Sequence, residues 1–239
     1  MNLQYNQYEH GIPAERSAAP EEVRAFMVKV YNWMALGLAL TAIVAWGVAS
    51  SSGLMQTLIQ NRGIFIGLII AELGLVLALS WAINRISATV AMLMFLAYAA
   101  INGLTLSFIF MAYTQESITS TFFICAATFA GMSAFGYFTK RDLSGVGHFM
   151  VMGLWGLIIA SFVNVFMRSD MLYWLTTYAG VLIFVGLTAW DTQKIKNFAF
   201  NAEEGSQEHS KAAIIGALIL YLDFINLFLY LLRIFGRRR

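Results

Sequence analysis

The stretch Tyr221-Leu-Asp-Phe-Ile-Asn-Leu-Phe-Leu-Tyr-Leu-Leu-Arg-Ile-Phe-Gly236 decides the fold. It is an almost unbroken apolar run at helical length, with a carboxylate inside it. Asp223 has no lysine or arginine within one turn on its own helix. A charge at that depth in a bilayer costs roughly 2.5–3.5 kcal/mol on insertion scales. A chain tolerates such a group when a distant partner, a proton or an ion offsets it. One other aspartate falls inside an apolar segment, Asp191 in Thr188-Ala-Trp-Asp-Thr-Gln-Lys194.

Working outward, six more long apolar segments precede this one. The seven lie near 31–50, 63–83, 87–112, 118–138, 147–167, 171–193 and 212–235. Each approaches or exceeds the ~20 residues that cross ~30 Å of hydrocarbon as a helix. The runs lack the alternation of an outer-membrane barrel. Composition agrees: 59% of the 239 residues are hydrophobic and 12% are charged, about half the charge content of soluble domains. The expected fold is therefore all-α, a polytopic membrane protein in a lipid bilayer. A net charge of +2 gives no reason to expect a nucleic-acid partner.

Residues 1–20 are polar, contain Pro13 and Pro20, and lack a signal-peptide pattern, so they are expected to form a flexible tail. Residues 21–239 form one transmembrane domain. Glu21 to Lys29 predicts a short amphipathic helix at the interface, with Val23, Phe26, Met27 and Val30 at helical spacing. Asn197 to Lys211 is the longest internal connection. The distribution of Lys and Arg favours a cytoplasmic N-terminus. The Arg237-Arg238-Arg239 tail disagrees with that rule, and a re-entrant last segment is the alternative to seven full crossings.

Glu72 lies midway along the second segment, and Arg85 closes it. Asn102, Thr105, Asn164, Thr188 and Asn226 are uncharged candidates, and interhelical hydrogen bonding is the plainer role for most of them. Gly216, Asp223, Asn226 and Tyr230 share one face of the last helix, a polar stripe that should turn away from lipid. Asp191 sits close enough to its segment's end for a solvated interface to account for it. Glu72 and Asp223 could each be a protonated structural acid. The Gly63-Ile-Phe-Ile-Gly67 spacing matches a close-packing motif that also arises by chance. Cys125 is the only cysteine, which excludes an intramolecular disulfide. His10, His148 and His209 have no metal-ligand spacing, so no resident metal or cofactor is expected. Hydrolase and phosphate-loop motifs are absent, as are the Tyr-Asp and Gly-x-Gly-Asp patterns of intramembrane aspartyl proteases. Nothing predicts an enzyme.

Three motifs resemble the Bax-inhibitor family in its bacterial branch: Asn102-Gly-Leu-Thr-Leu-Ser107, Trp190-Asp-Thr-Gln-Lys-Ile-Lys196 and Leu220-Tyr-Leu-Asp-Phe-Ile-Asn-Leu-Phe228. The loop Lys140-Arg-Asp-Leu-Ser144 is also similar, and the likeness covers about residues 25–236. The resemblance implies seven transmembrane helices with the last one central. It implies a pH-dependent calcium leak of the bacterial inner membrane, with Asp191 and Asp223 as a proton-sharing sensor and gate. It places Glu72 on the ion path, with Asn102, Thr105 and Asn226 as candidate polar lining. The family's second-span arginine latches onto the first aspartate. Arg85 is the candidate here, a couple of residues beyond the matching position, which Ile83 occupies. Some bacterial members are linked to a membrane AAA protease, so a non-conducting regulator is the competing expectation.

Physical chemistry adds a reason for the pair. Two carboxylates at one site cannot both ionise cheaply, so they share a proton and titrate as a unit. Oxygen ligands suit calcium, a hard cation. Contact requires a helix offset, because Asp223 lies about 16 Å into its apolar run at 1.5 Å per residue, whereas Asp191 lies near the end of its own.

Overall fold

The computed structural model describes residues 20–199 and 205–239. The expected tail lies outside them apart from Pro20, as do Glu203 and Glu204 of the longest connection. The described residues form helices and no strand. The helices are α1 (Pro20–Ser50), α2 (Ser52–Gln60), α3 (Arg62–Ala82), α4 (Ala88–Leu106), α5 (Ile109–Ala112), α6 (Gln115–Phe138), α7 (Ser144–Met167), α8 (Asp170–Phe198) and α9 (Gln207–Phe235). A 3-10 turn, Ile83–Arg85, follows α3. The seven expected spans are α1, α3, α4 continued by α5, α6, α7, α8 and α9. Serine or threonine caps begin four of them: Ser87, Thr114, Ser169 and Ser206 each accept a hydrogen bond from a first-turn amide.

Two boundaries differ from the sequence reading. The amphipathic segment is not a separate interfacial helix but the first turns of α1, and Val23, Phe26, Met27 and Val30 are buried in the bundle. The connection before the last span is shorter than expected, because α8 runs on to Phe198 and α9 starts at Gln207. Hydropathy marks where hydrocarbon ends, and these helices continue past it on polar residues.

Packing divides the spans into two kinds. α9 packs against α1, α4, α6 and α8, and 67% of its most apolar stretch is buried. α3 packs chiefly on α4 and α7 on α8, with only 6% buried in each. Large apolar side chains such as Trp81, Phe138 and Met152 face outward, as a protein solvated by lipid tails requires. Among the described residues, no other helix approaches Gly63 or Gly67, so their spacing does not act as a packing motif within the bundle.

The ends of the spans sort onto two faces. On one face, Lys29 Nζ donates to Ser210 Oγ at 3.0 Å and the Ala88 amide to Gln207 Oε1 at 3.4 Å. On the other, the C-terminal residues dock on the α5–α6 turn: Thr114 N donates to the Arg237 carbonyl at 3.1 Å, Arg239 N to the Ala112 carbonyl at 3.1 Å and Arg237 N to Ser117 Oγ at 2.9 Å. The last helix thus runs unbroken from one face of the bundle to the other, the arrangement expected of a full crossing rather than of a re-entrant segment.

Candidate functional site

α8 and α9 run antiparallel, and two close approaches fix their register. Ile195 lies against Gly216, and the Tyr230 ring lies against Gly180, each so near that a Cβ on the glycine would meet it below 3.0 Å. This register sets Asp223 about one helical turn, roughly 5 Å along the axis, from Asp191. The helix offset that the sequence demanded is therefore present.

Asp191 and Asp223 line one cavity of about 600 Å³ between α7, α8 and α9, together with Ser161, Asn226, Tyr230 and Arg233. Both aspartates are buried, at 6% and 5% exposure, which removes the solvated-interface reading of Asp191. Asp191 Oδ1 lies 4.0 Å from Lys194 Nζ, one turn along the same helix. Asp223 Oδ2 has no hydrogen-bond partner. The two carboxylates thus face one space, about a helical turn apart along the axis. Asn226, which also lines the cavity, donates from its amide nitrogen to the Leu222 carbonyl at 2.8 Å.

The residues around Asp191 tie the end of α8 to three neighbours. The Trp190 ring presses on Gly147 of α7, where a Cβ would come within 2.1 Å of it. Thr192 Oγ1 is 2.9 Å from Ser133 Oγ of α6, which is itself hydrogen-bonded to the Tyr31 hydroxyl of α1. Gln193 clasps the 139–143 connection from both ends of its amide, accepting from Leu143 N at 2.9 Å and donating to the Arg141 carbonyl at 2.8 Å. Lys196 Nζ donates to the Tyr137 carbonyl at 3.0 Å. This motif thus fixes the rotation of α8 that aims Asp191 at the cavity.

Glu72 belongs to a second polar group, on the other side of α9. Thr105 Oγ1 donates to Glu72 Oε1 at 2.7 Å and lies 2.9 Å from the Asn102 carbonyl. Asn102 Oδ1 accepts from the Tyr221 hydroxyl at 3.0 Å. That hydroxyl lies 2.7 Å from Thr41 Oγ1, which donates to the Ala99 carbonyl at 2.8 Å. The chain of hydrogen bonds joins α3, α4, α9 and α1. Of the candidate lining residues, Thr105 is thus Glu72's own partner, and Asn102 joins the same run of hydrogen bonds.

The remaining candidates are placed as follows. Arg85 is exposed on the 3-10 turn and makes no ion pair among the described residues, so the structure does not bring it to Asp191; Lys194 is the cation beside that carboxylate. Asn164 Oδ1 accepts from Ser169 N at 2.9 Å, and Thr188 Oγ1 donates to the Phe184 carbonyl at 2.7 Å, both local bonds rather than bonds between helices. Cys125 is buried with its thiol 3.6 Å from the Phe224 carbonyl. Sequence reasoning missed Tyr221 and Thr41, whose hydroxyls close the Glu72 group, and Arg233, which borders the aspartate cavity. Tyr221 stands two residues before Asp223 in the last-span motif, and that neighbourhood is the signal that would have found it.

A sequence model of the family described as Inhibitor of apoptosis-promoting Bax1 matches residues 23–239. The chain belongs to the Bax-inhibitor family. The "Inner membrane protein YbhL" of Escherichia coli strain K12 is 52% identical over 218 residues, covering 91% of this chain and 93% of that protein. An "Uncharacterized membrane protein" of Streptococcus pyogenes serotype M3 is 42% identical over 214 residues, covering 89% and 92% of the two chains. "Uncharacterized protein RP147" of Rickettsia prowazekii is 44% identical over 220 residues, covering 92% of each. With seven apolar helices and these relatives, the protein is a multi-pass inner-membrane member of the Bax-inhibitor family.

Proposed function

We propose that this Bax-inhibitor family protein is a pH-sensitive calcium leak of the inner membrane, a channel rather than an enzyme. The observation that supports this reading is the cavity shared by Asp191 and Asp223, with one oxygen of Asp223 unpartnered. A buried carboxylate oxygen without a donor is unfavourable unless a proton or a cation meets it. Carboxylate, amide and hydroxyl oxygens from Asp191, Asp223, Asn226 and Ser161 suit calcium, which takes oxygen ligands in flexible geometry.

The proposed gate is the charge state of the pair. With a proton present, the two carboxyl groups tolerate each other and α8 stays closed on α9. Without it, two negative charges about one turn apart repel across the cavity and favour a wider opening. Glu72 is proposed as a second station for the ion, with Asn102 and Thr105 lining it. The test is calcium release from liposomes that contain only this protein. Release above that of empty liposomes supports the reading. No release at any pH from about 6 to 8 sinks it, and leaves the regulator that binds a membrane AAA protease or another membrane partner.

A further inference from the structure

Three arginines from separate parts of the chain converge on one cavity of about 520 Å³ at the face where the C-terminus docks. Arg168 follows α7 with a left-handed backbone, φ 50°, which turns the chain sharply into α8. Arg233 lies in the last turn of α9, and Arg238 lies just beyond that helix. Their positions are held by bonds that the arginine charges do not supply. The Asn164–Ser169 contact fixes the turn around Arg168, and the Thr114–Arg237, Arg237–Ser117 and Arg239–Ala112 bonds pin the chain on either side of Arg238.

Their charges are poorly balanced. Arg233 sits over the Tyr230 and Tyr173 rings, at 4.9 and 5.6 Å from their centroids. Arg238 Nη2 donates to the Tyr173 hydroxyl at 3.3 Å. Asp170 lines the same cavity, yet among the described residues it forms no ion pair with any of the three. Three like charges around one space repel, and an anion that enters it converts that repulsion into attraction. The planar fork of guanidinium matches phosphate oxygens in two-pronged hydrogen bonds. The start of α8, a 29-residue helix, adds the positive end of its dipole at the same place.

The surroundings select the source of the phosphate. The cavity lies where α7 and α9 end and α8 begins, the level at which the apolar spans stop. Phe166, Met167 and Met171 beside it are exposed at 72%, 65% and 82%, an apolar rim that a soluble anion would not use. Trp174, which lines the cavity, stacks on Tyr178 at 5.8 Å, and such aromatic pairs sit at membrane–water boundaries. We propose that Arg168, Arg233 and Arg238 form a binding site for the phosphate of an anionic phospholipid headgroup, whose acyl chains lie against the rim. The inference does not rest on the calcium reading, since it requires no conduction, and its variants are placed at Arg168 and Arg238 rather than at Arg233, which also borders the aspartate cavity.

The experiment is native mass spectrometry of the full chain in detergent, titrated with phosphatidylglycerol and with phosphatidylcholine of the same acyl chains. The wild type should retain phosphatidylglycerol more tightly. Arg168→Gln and Arg238→Gln, both at exposed positions, should each weaken that binding roughly fivefold, the value of one basic side chain near a membrane surface. Arg62→Gln, on the same face but outside the cavity, should leave it unchanged. Equal binding of the two lipids, or variants that bind as the wild type does, would overturn the proposal. Full displacement of phosphatidylglycerol by millimolar inorganic phosphate would overturn the lipid assignment and give the cavity to a soluble anion.

Discussion

Tyr221 and Asp223 stand two residues apart on α9 and point to opposite sides of it, as a separation of about 200° around the helix requires. On the Tyr221 side the polar groups are joined: Tyr221, Thr41, Ala99, Asn102, Thr105 and Glu72 form one run of hydrogen bonds between four helices. On the Asp223 side two carboxylates share a cavity and one oxygen has no partner. Both sides put acids among apolar helices, so composition does not separate them. Hydrogen bonding does. A satisfied group holds helices together, and on the proposed reading the unsatisfied one meets a proton or an ion.

The largest effect should come from dismantling the satisfied side. Tyr221 is fully buried and packs edge-on against Phe95 and Tyr98, at 5.8 and 5.7 Å. Tyr221→Ala should destabilise the protein by about 3–5 kcal/mol, the usual cost of removing a buried aromatic ring. Tyr221→Phe keeps the ring and removes the hydroxyl, for a loss of about 1 kcal/mol. Reversible unfolding in detergent micelles measures both, and a neutral Tyr221→Phe would mean that the hydrogen-bond run holds nothing.

Exchanging the acids on the two sides sharpens the contrast through its sign. Glu72→Leu removes Thr105's acceptor and should cost about 1–2 kcal/mol. Asp223→Asn removes an unpartnered charge and should leave stability unchanged or raised in the same assay. Equal losses at both positions would erase the distinction. Glu72→Gln keeps an acceptor for Thr105, so it should keep the fold and lower calcium flux. Unchanged flux in a folded Glu72→Gln protein would make Glu72 purely structural.

The smallest effect lies outside the membrane, in the 139–143 connection that Gln193 clasps. Hydrogen bonds from the Ser144 side chain and amide hold the Asp142 carboxyl below the usual carboxylate range. A lowered value means that the contribution is complete above the ordinary carboxylate range and fades as pH falls through the lowered one. Amide exchange at Ser144, whose N–H donates to Asp142 Oδ1 at 2.9 Å, should therefore speed up relative to Asp142→Ala as pH falls below about 4. An exchange ratio that stays constant through this range would show that the bond does not form in solution.

The spans were legible because bilayer thickness imposes one length on every crossing, and apolar runs of that length have few other uses. Asp191, Asp223 and Glu72 were legible because charge inside such a run is costly wherever the helix faces. The partners were harder to read. Tyr221 and Thr41 are ordinary residues for an apolar helix, and which face of a helix apolar all round meets which neighbour is set by packing. The same limit separated the two acids: Thr105 became Glu72's donor only once α3 packed on α4. The polar extension of α8 to Phe198 escaped for another reason, since hydropathy falls where water begins while the helix continues.

Calcium flux through liposomes containing wild type, Asp223→Asn or Asp191→Asn, measured across about pH 6–8, tests the central claim most directly. Each asparagine keeps a hydrogen-bonding side chain of similar size and removes the coupled titration. The wild type should pass more calcium as pH rises and the pair loses its proton, and both variants should show a flattened profile. Variants that retain the wild-type profile would contradict the account, because the two aspartates would then not be the sensor.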